Sequence, residues 1–226
     1  MSQTMAVTRH PPIRDQVANL LRNAIVNLEF APGQLLIERN VCELTGASRP
    51  SVREALRQLE AEGLVESHNG RGTFVRVVTA AEAHDVYEVR AELEGLAARL
   101  FTERASEAER QRVRDALAEL QAATEAETAT SAILAAQTNF YNALFDGAHN
   151  DFLVRTIQRM QVRVAQLRAL TLAVPGRARA SLEEFMEIGR LLLDGDGPAA
   201  ERAAIEHVQN AGRTMASVAP ITTNGK

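Results

Sequence analysis

The sequence holds no tryptophan, only two tyrosines and a single cysteine. One thiol, Cys42, can build neither a disulfide framework nor a cysteine metal cluster. No apolar run approaches the ~20 residues needed to cross a bilayer. The first ten residues are polar with no apolar stretch, so no signal peptide is expected and the chain reads as cytoplasmic. A phosphate-cradling glycine loop and a Gly-x-Ser-x-Gly turn are both missing. Without those signs of catalysis, an enzyme is not expected.

What is present favours helix. Ala, Leu, Glu and Arg dominate the 226 residues, a length that suits two modest domains. The net charge of −4 argues against a chain that binds nucleic acid along its whole surface. Its distribution is uneven. Residues 1–79 carry nine arginines and eight acids, whereas residues 80–226 carry 16 basic and 21 acidic residues. Local clustering of arginine matters more for DNA than the total.

That clustering falls on residues 48–64, SRPSVREALRQLEAEGL. Arg49, Arg53 and Arg57 recur every four residues and share one helical face. Val52, Ala55, Leu56 and Leu59 fill the opposite face. Such a helix can lie in a major groove and reach phosphates and guanine edges. Its surroundings fit the same reading. A helix is predicted over Ile13 to Glu29, with Val17, Leu20, Leu21, Ala24 and Leu28 at helical spacing, and Ala31-Pro32-Gly33 ends it. A short helix over Glu38 to Leu44 follows, then the Gly46 turn, with Ser48 as N-cap and Pro50 in the first turn of the third helix. The period then alternates: a strand begins at Leu64-Val65-Glu66, His68 to Gly72 turn, and Thr73 to Val78 return. Three helices and a hairpin make a winged helix-turn-helix.

From Thr79 onward the pattern is helical. Val86, Val89, Leu93, Leu96 and Leu100 step by three and four, and five further stripes follow. Breaks are expected near Thr124–Thr130, Gly147–Asn150, Pro175–Gly176 and Gly195–Pro198. The expected fold is mainly α: an N-terminal winged helix-turn-helix, then an all-α bundle of about six helices. The expected domains are a flexible arm over 1–12, a DNA-binding domain over 13–78, a helical domain over 79–216 and a disordered tail over 217–226.

The stretch GQLLIERNVCELTGASRPSVREALRQLEAEGLVESHNGRGTFV resembles the DNA-binding domain of GntR-type bacterial transcription regulators. The segments YEVRAELEGLAARLFTERAS, FYNAL, SLEEF and AAIEHV resemble the FCD effector domain of the FadR-like branch. The resemblance implies a homodimer on palindromic operator DNA, controlled by a small-molecule effector in the helical domain. By position it implies Arg39, Arg49 and Arg53 in the major groove and Ser48 and Ser51 near the backbone. Asn69, Gly70 and Arg71 fall at the wing tip, toward the minor groove. The alternative for these arginines is a solvated helix face paired with Glu54 and Glu60.

Many FCD domains hold a divalent metal with one Asp and three His. The matching positions carry Gln137, Tyr141, Phe185 and His207. Only His207 is a normal ligand, so no metal cofactor of the usual kind is expected. Either Gln137, Tyr141 and His207 line a metal-free effector pocket, or they are satisfied groups in a filled core. Arg90 is expected either to meet an effector carboxylate or to pair with Glu94. Phe185 makes the site more apolar, which hints at an organic acid with an apolar part. The leading expectation is an effector-controlled regulator, a repressor. The alternative is a constitutive DNA-binding dimer with a filled, ligand-free bundle.

Overall fold

The computed structural model describes residues 11–126 and 128–218. The expected arm over 1–12 and tail over 217–226 lie almost wholly outside these residues. The chain divides into two compact units at Val77/Val78.

The first unit contains α1 (Ile13–Val26), β1 (Leu35–Leu36), α2 (Glu38–Thr45), α3 (Arg49–Ala61), β2 (Val65–His68) and β3 (Gly72–Val75). The three strands form an antiparallel sheet in the order β1-β3-β2. Val17, Leu21 and Ile25 of α1 meet Val52, Leu56 and Leu59 of α3 in a core closed by Leu36, Val41, Leu64 and Val75. A bidentate ion pair from Arg22 to Glu62, at 2.8 and 2.6 Å, ties α1 to the residue capping α3.

Three sequence expectations need correction in this unit. The first helix stops at Val26 rather than Glu29. Leu28 turns into the left-handed region, and the Glu29 and Phe30 amides both close back on the Ala24 carbonyl. Leu20, placed in the core stripe, is largely exposed. The second wing strand ends at Val75 rather than Val78, His68 and Gly72 of the expected turn pair as the last rung of the hairpin, and β1 is an additional strand. Its two residues are too few to show any alternating period, and it exists only because β3 offers a free edge.

Among the described residues the second unit is six helices: α4 (Ala80–Arg104), α5 (Glu107–Glu125), α6 (Thr130–Gly147), α7 (Asp151–Leu172), α8 (Arg177–Asp194) and α9 (Gly197–Val218). Two capping boxes start the first pair. Thr79 and Glu82 satisfy each other's end groups at α4, and Ser106 and Glu109 do so at α5. The Ser106 amide and hydroxyl hold the Glu109 carboxyl down to about 2, with His149 adding a third contact at 3.0 Å. Helix α4 packs along α9, and α5 along α6.

Here too one stripe is corrected. Val89 of α4 is half exposed, and Val86, Leu93 and Leu96 are only partly covered. The fully buried face of α4 carries Tyr87, Arg90, Ala91, Glu94 and Ala98 instead. A charged pair on the inward face hides the helix's true orientation from any count of apolar residues. No helix among the described residues is long and apolar enough to cross a membrane.

Candidate functional site

In the first unit, the polar face of α3 lies open to solvent because its apolar face is spent on α1. Ser48 has the extended backbone of an N-cap, but its hydroxyl meets the Ser51 hydroxyl at 3.1 Å and does not cap the helix. Arg49, in the first turn, is exposed and makes no hydrogen bond or ion pair among the described residues. Arg53 is clamped by Glu38 of α2, with its Nε 2.9 and 3.0 Å from the two carboxylate oxygens. Arg39 lies 3.6 Å from Glu43, and Arg57 lies 2.6 Å from Glu54. These pairs are exposed and each contributes little stability. The sequence pointed to Glu54 and Glu60 as the acids facing this helix. Glu54 holds Arg57, but Glu60 turns away to accept from the Ser67 amide, and the partner of Arg53 is Glu38.

The wing is the β2–β3 hairpin, closed by the His68–Gly72 pair and by the Arg71 amide donating to the His68 carbonyl at 3.0 Å. Asn69, Gly70 and Arg71 stand exposed at its tip. Gly70 has a φ of 73°, which its lack of a Cβ makes cheap. A narrow, side-chain-poor tip beside a cation suits close approach to a phosphate-lined groove.

In the second unit, five helices, α4 and α6 to α9, bring an unusual set of charged and polar groups together. Arg90 and Glu94 of α4 are both almost fully buried and bonded to each other. Arg90 Nη2 also donates to the Tyr141 hydroxyl of α6 at 2.8 Å, while its Nη1 has no hydrogen-bond partner. Burial opposes the Arg90 charge, but Glu94 more than restores it, so the arginine stays charged. The Arg168 guanidinium of α7 sits 4.0 Å over the Tyr141 ring, and its buried Nε is also unpartnered. Burial first, then repulsion from Arg90, lowers the Arg168 pKa from its ordinary value. Burial and the nearby Glu94 push the Tyr141 hydroxyl up, so it stays protonated.

On the other side of Arg90, Gln137 donates to the Ser181 hydroxyl at 3.2 Å. His207 of α9 bonds Glu184 of α8 through Nδ1 at 2.5 Å. The same carboxylate accepts two bonds from Arg177, at 3.0 and 2.7 Å, and one from Asn210 at 2.8 Å. Burial alone would raise the Glu184 carboxyl, but His207 and Arg177 hold it at about 2. Burial lowers the His207 pKa despite that carboxylate, so the imidazole is neutral and donates from Nδ1. Phe185 packs edge-on to Phe140 and Tyr141 and lies 4.5 Å from the His207 ring.

Two cavities flank Arg90, and they divide the residues that the sequence grouped together. Gln137 and His207 line the smaller, with Arg177 and Ser181; Tyr141 lines the larger, between α4, α6 and α7; Phe185 lines neither. Arg90 and Arg168 border both. The space open to the centre of a water-sized sphere is about 10 Å³ in the smaller and about 60 Å³ in the larger. One water needs about 10–15 Å³ by that measure. The smaller cavity is therefore a single-water space, and the larger admits a group of several non-hydrogen atoms.

The donor set does not fit a divalent cation. Gln137 and His207 Nδ1 are engaged, Phe185 cannot ligate, and Tyr141 stays protonated. Three guanidinium groups, Arg90, Arg168 and Arg177, face the same volume with only Glu94 and Glu184 as carboxylates. Sequence reasoning passed over Glu184, Arg168 and Arg177. One signal for the first was available: Arg177 and Glu184 are seven residues apart, two turns along one helix face.

Comparison with known proteins agrees with the two-unit build. The family model for bacterial regulatory proteins of the gntR family matches residues 13–75, and the FCD domain model matches residues 85–210. The chain belongs to the GntR family of bacterial regulators and carries an FCD domain. The HTH-type transcriptional regulator YdhC of Bacillus subtilis strain 168 is 28% identical over 192 residues, covering 85% of this chain and 86% of that protein. The HTH-type transcriptional repressor RspR of Escherichia coli K12 is 25% identical over 207 residues, covering 92% and 90%. The crystal structure of a GntR transcriptional regulator from Rhodococcus sp. RHA1 superposes with a TM-score of 0.77 at 24% identity, covering 91% and 98%. This GntR chain is a DNA-binding transcriptional regulator, and its family is not one of enzymes.

Proposed function

We propose that this GntR regulator is a cytoplasmic homodimeric repressor that reads a palindromic operator and releases it when an organic acid enters the FCD domain. The reading of DNA rests on α2, α3 and the wing: Arg39, Arg49 and Arg53 in the major groove, Ser48 and Ser51 near the backbone, and Asn69, Gly70 and Arg71 toward the minor groove. The observation that carries the effector half is Arg90 Nη1, a buried, charged donor with no partner among the described residues, on a side chain that borders two cavities. Leaving such a donor unmet costs about 1–3 kcal/mol or more, a cost that an incoming carboxylate removes. No metal takes part in this reading, because the residues at the usual metal position do not suit one. An effector binding one arrangement of the bundle better than another shifts the population of dimer geometries, and operator half-sites tolerate only a fixed spacing.

The smaller cavity favours a second reading on its own side of Arg90. Gln137 is bonded to Ser181 and His207 to Glu184 there, and they leave room for only one water, as a filled core would. One experiment separates the readings. Operator duplexes selected from a random pool are titrated with the protein by fluorescence anisotropy, in chelator, with and without organic acids. Release by an acid supports the effector-controlled repressor. Operator affinity indifferent to every acid overturns it in favour of the constitutive dimer.

A further inference from the structure

We propose that the effector is a monoanionic carboxylate with an apolar tail, gripped directly by Arg90 and Arg168 in the cavity between α4, α6 and α7. This rests on the effector-controlled reading above and specifies its ligand. Three observations carry it. First, the charges do not balance. Arg177 is matched by Glu184 and Arg90 by Glu94, but Arg168 makes no ion pair among the described residues. The surplus of one cation calls for one negative charge. Second, both guanidiniums border this one cavity. Arg90 Nη1 and Arg168 Nε are both buried and unpartnered, and both guanidiniums lie within 6 Å of the Tyr141 ring centroid, at 5.6 and 4.0 Å. Third, six apolar side chains, Leu93, Phe145, Val154, Ile157, Met160 and Val164, make up much of the remaining wall, beside the polar Thr138, Asn142, Asp146 and Gln158. Met160 is flexible enough to re-pack around tails of different shape.

The other charged groups do not oppose this. Glu94 is already neutralised by Arg90, and Asp146 stands at the rim, mostly exposed and 3.7 Å from Arg112. A dianion lacks a second unmatched cation to meet it.

The test uses the full chain in chelator. Binding of acetate, butyrate, hexanoate and phenylacetate is measured by calorimetry, beside hexanol, hexanamide and succinate. Hexanoate and phenylacetate are expected to bind, each added methylene tightening binding about fourfold until the cavity is full. The neutral analogues and succinate are expected at least tenfold weaker. Arg168→Gln is expected to weaken hexanoate at least tenfold while leaving the unliganded protein as stable or more stable, since an unmatched buried cation is removed. A merely structural Arg168 gives the reverse, lower stability with binding retained, and overturns the proposal. So does equal binding of hexanoate and hexanol, equal binding of acetate and hexanoate, or no binding of any carboxylate. Hexanoate binding without operator release leaves this inference standing and overturns the regulatory reading instead.

Discussion

Glu184→Gln is the substitution with the clearest expected cost. The carboxylate accepts from Arg177, His207 and Asn210, so it joins the start of α8 to the middle of α9. Glutamine keeps the shape but loses the charge and one acceptor. Holding the carboxyl from 4.5 down to about 2 is worth about 3 kcal/mol with no screening. Its side chain is about one-fifth exposed, which reduces this to about 2 kcal/mol. A second route gives a similar figure. Breaking a fully buried ion pair costs about 3–5 kcal/mol, and only Arg177 of this pair is fully buried, so about 2–3 kcal/mol is expected. The assay is urea unfolding followed by helical circular dichroism at neutral pH. The depressed pKa sets the sign with acid: the contribution is whole above about pH 4.5 and is lost as pH falls toward 2. The gap between wild type and variant therefore closes across that window. Equal stability of the two proteins at pH 7, or a gap that widens in acid, would refute the reasoning.

Arg49→Ala is expected to cost about 1–3 kcal/mol in operator binding and to relax base preference, read by anisotropy on matched and mutated duplexes; unchanged affinity removes α3 from the groove. Gly189→Ala is expected to destabilise the helical unit by about 1–3 kcal/mol in the same urea assay. The added Cβ would stand 2.2 Å from Leu117 Cδ1, and Leu117 is itself packed between helices. His207→Asn is expected to flatten the fall of stability as pH drops below 6.5. The buried imidazole resists protonation that the unfolded chain accepts, so wild type loses stability there and the variant loses less.

How much of this was legible in the sequence varies with the kind of signal. The α3 face was, because four apolar residues and three arginines alternate at helical spacing with nothing else competing. Three breaks between helices were too, at Gly147–Asn150, Pro175–Gly176 and Gly195–Pro198, because glycine or proline marks them; the break at Ala105–Ser106 carries neither and was passed over. The inward face of α4 was not. The sequence offers Arg90 as an effector contact or as the partner of Glu94, but the burial of both shows only once Tyr141 and Arg168 are seen to cover them, contacts that come from residues 47 or more positions away. Arg168 was hidden for a related reason. Arg155, Arg159 and Arg163 step by four along the exposed side of α7, and Arg168 looks like their continuation. It is five residues on, and that one extra residue turns it inward. The grouping of Gln137, Tyr141 and His207 into one pocket came from positional resemblance, which cannot show that Arg90 stands between them and splits the space in two.

The clamp between Glu38 and Arg53 has a thermodynamic consequence for operator binding. A cation that meets a phosphate releases condensed counter-ions, and the slope of log affinity against log salt counts such meetings. Arg53 already carries its own counter-ion within the protein. Moving it onto DNA exchanges one anion for another and turns Glu38 loose beside a negative surface. The salt slope should therefore be shallower than the number of arginines on that face suggests. Glu38→Gln should steepen it and, at low salt, favour binding to duplexes of any sequence. The carboxylate thus limits non-specific adhesion and leaves the discrimination between sequences to the contacts that replace it.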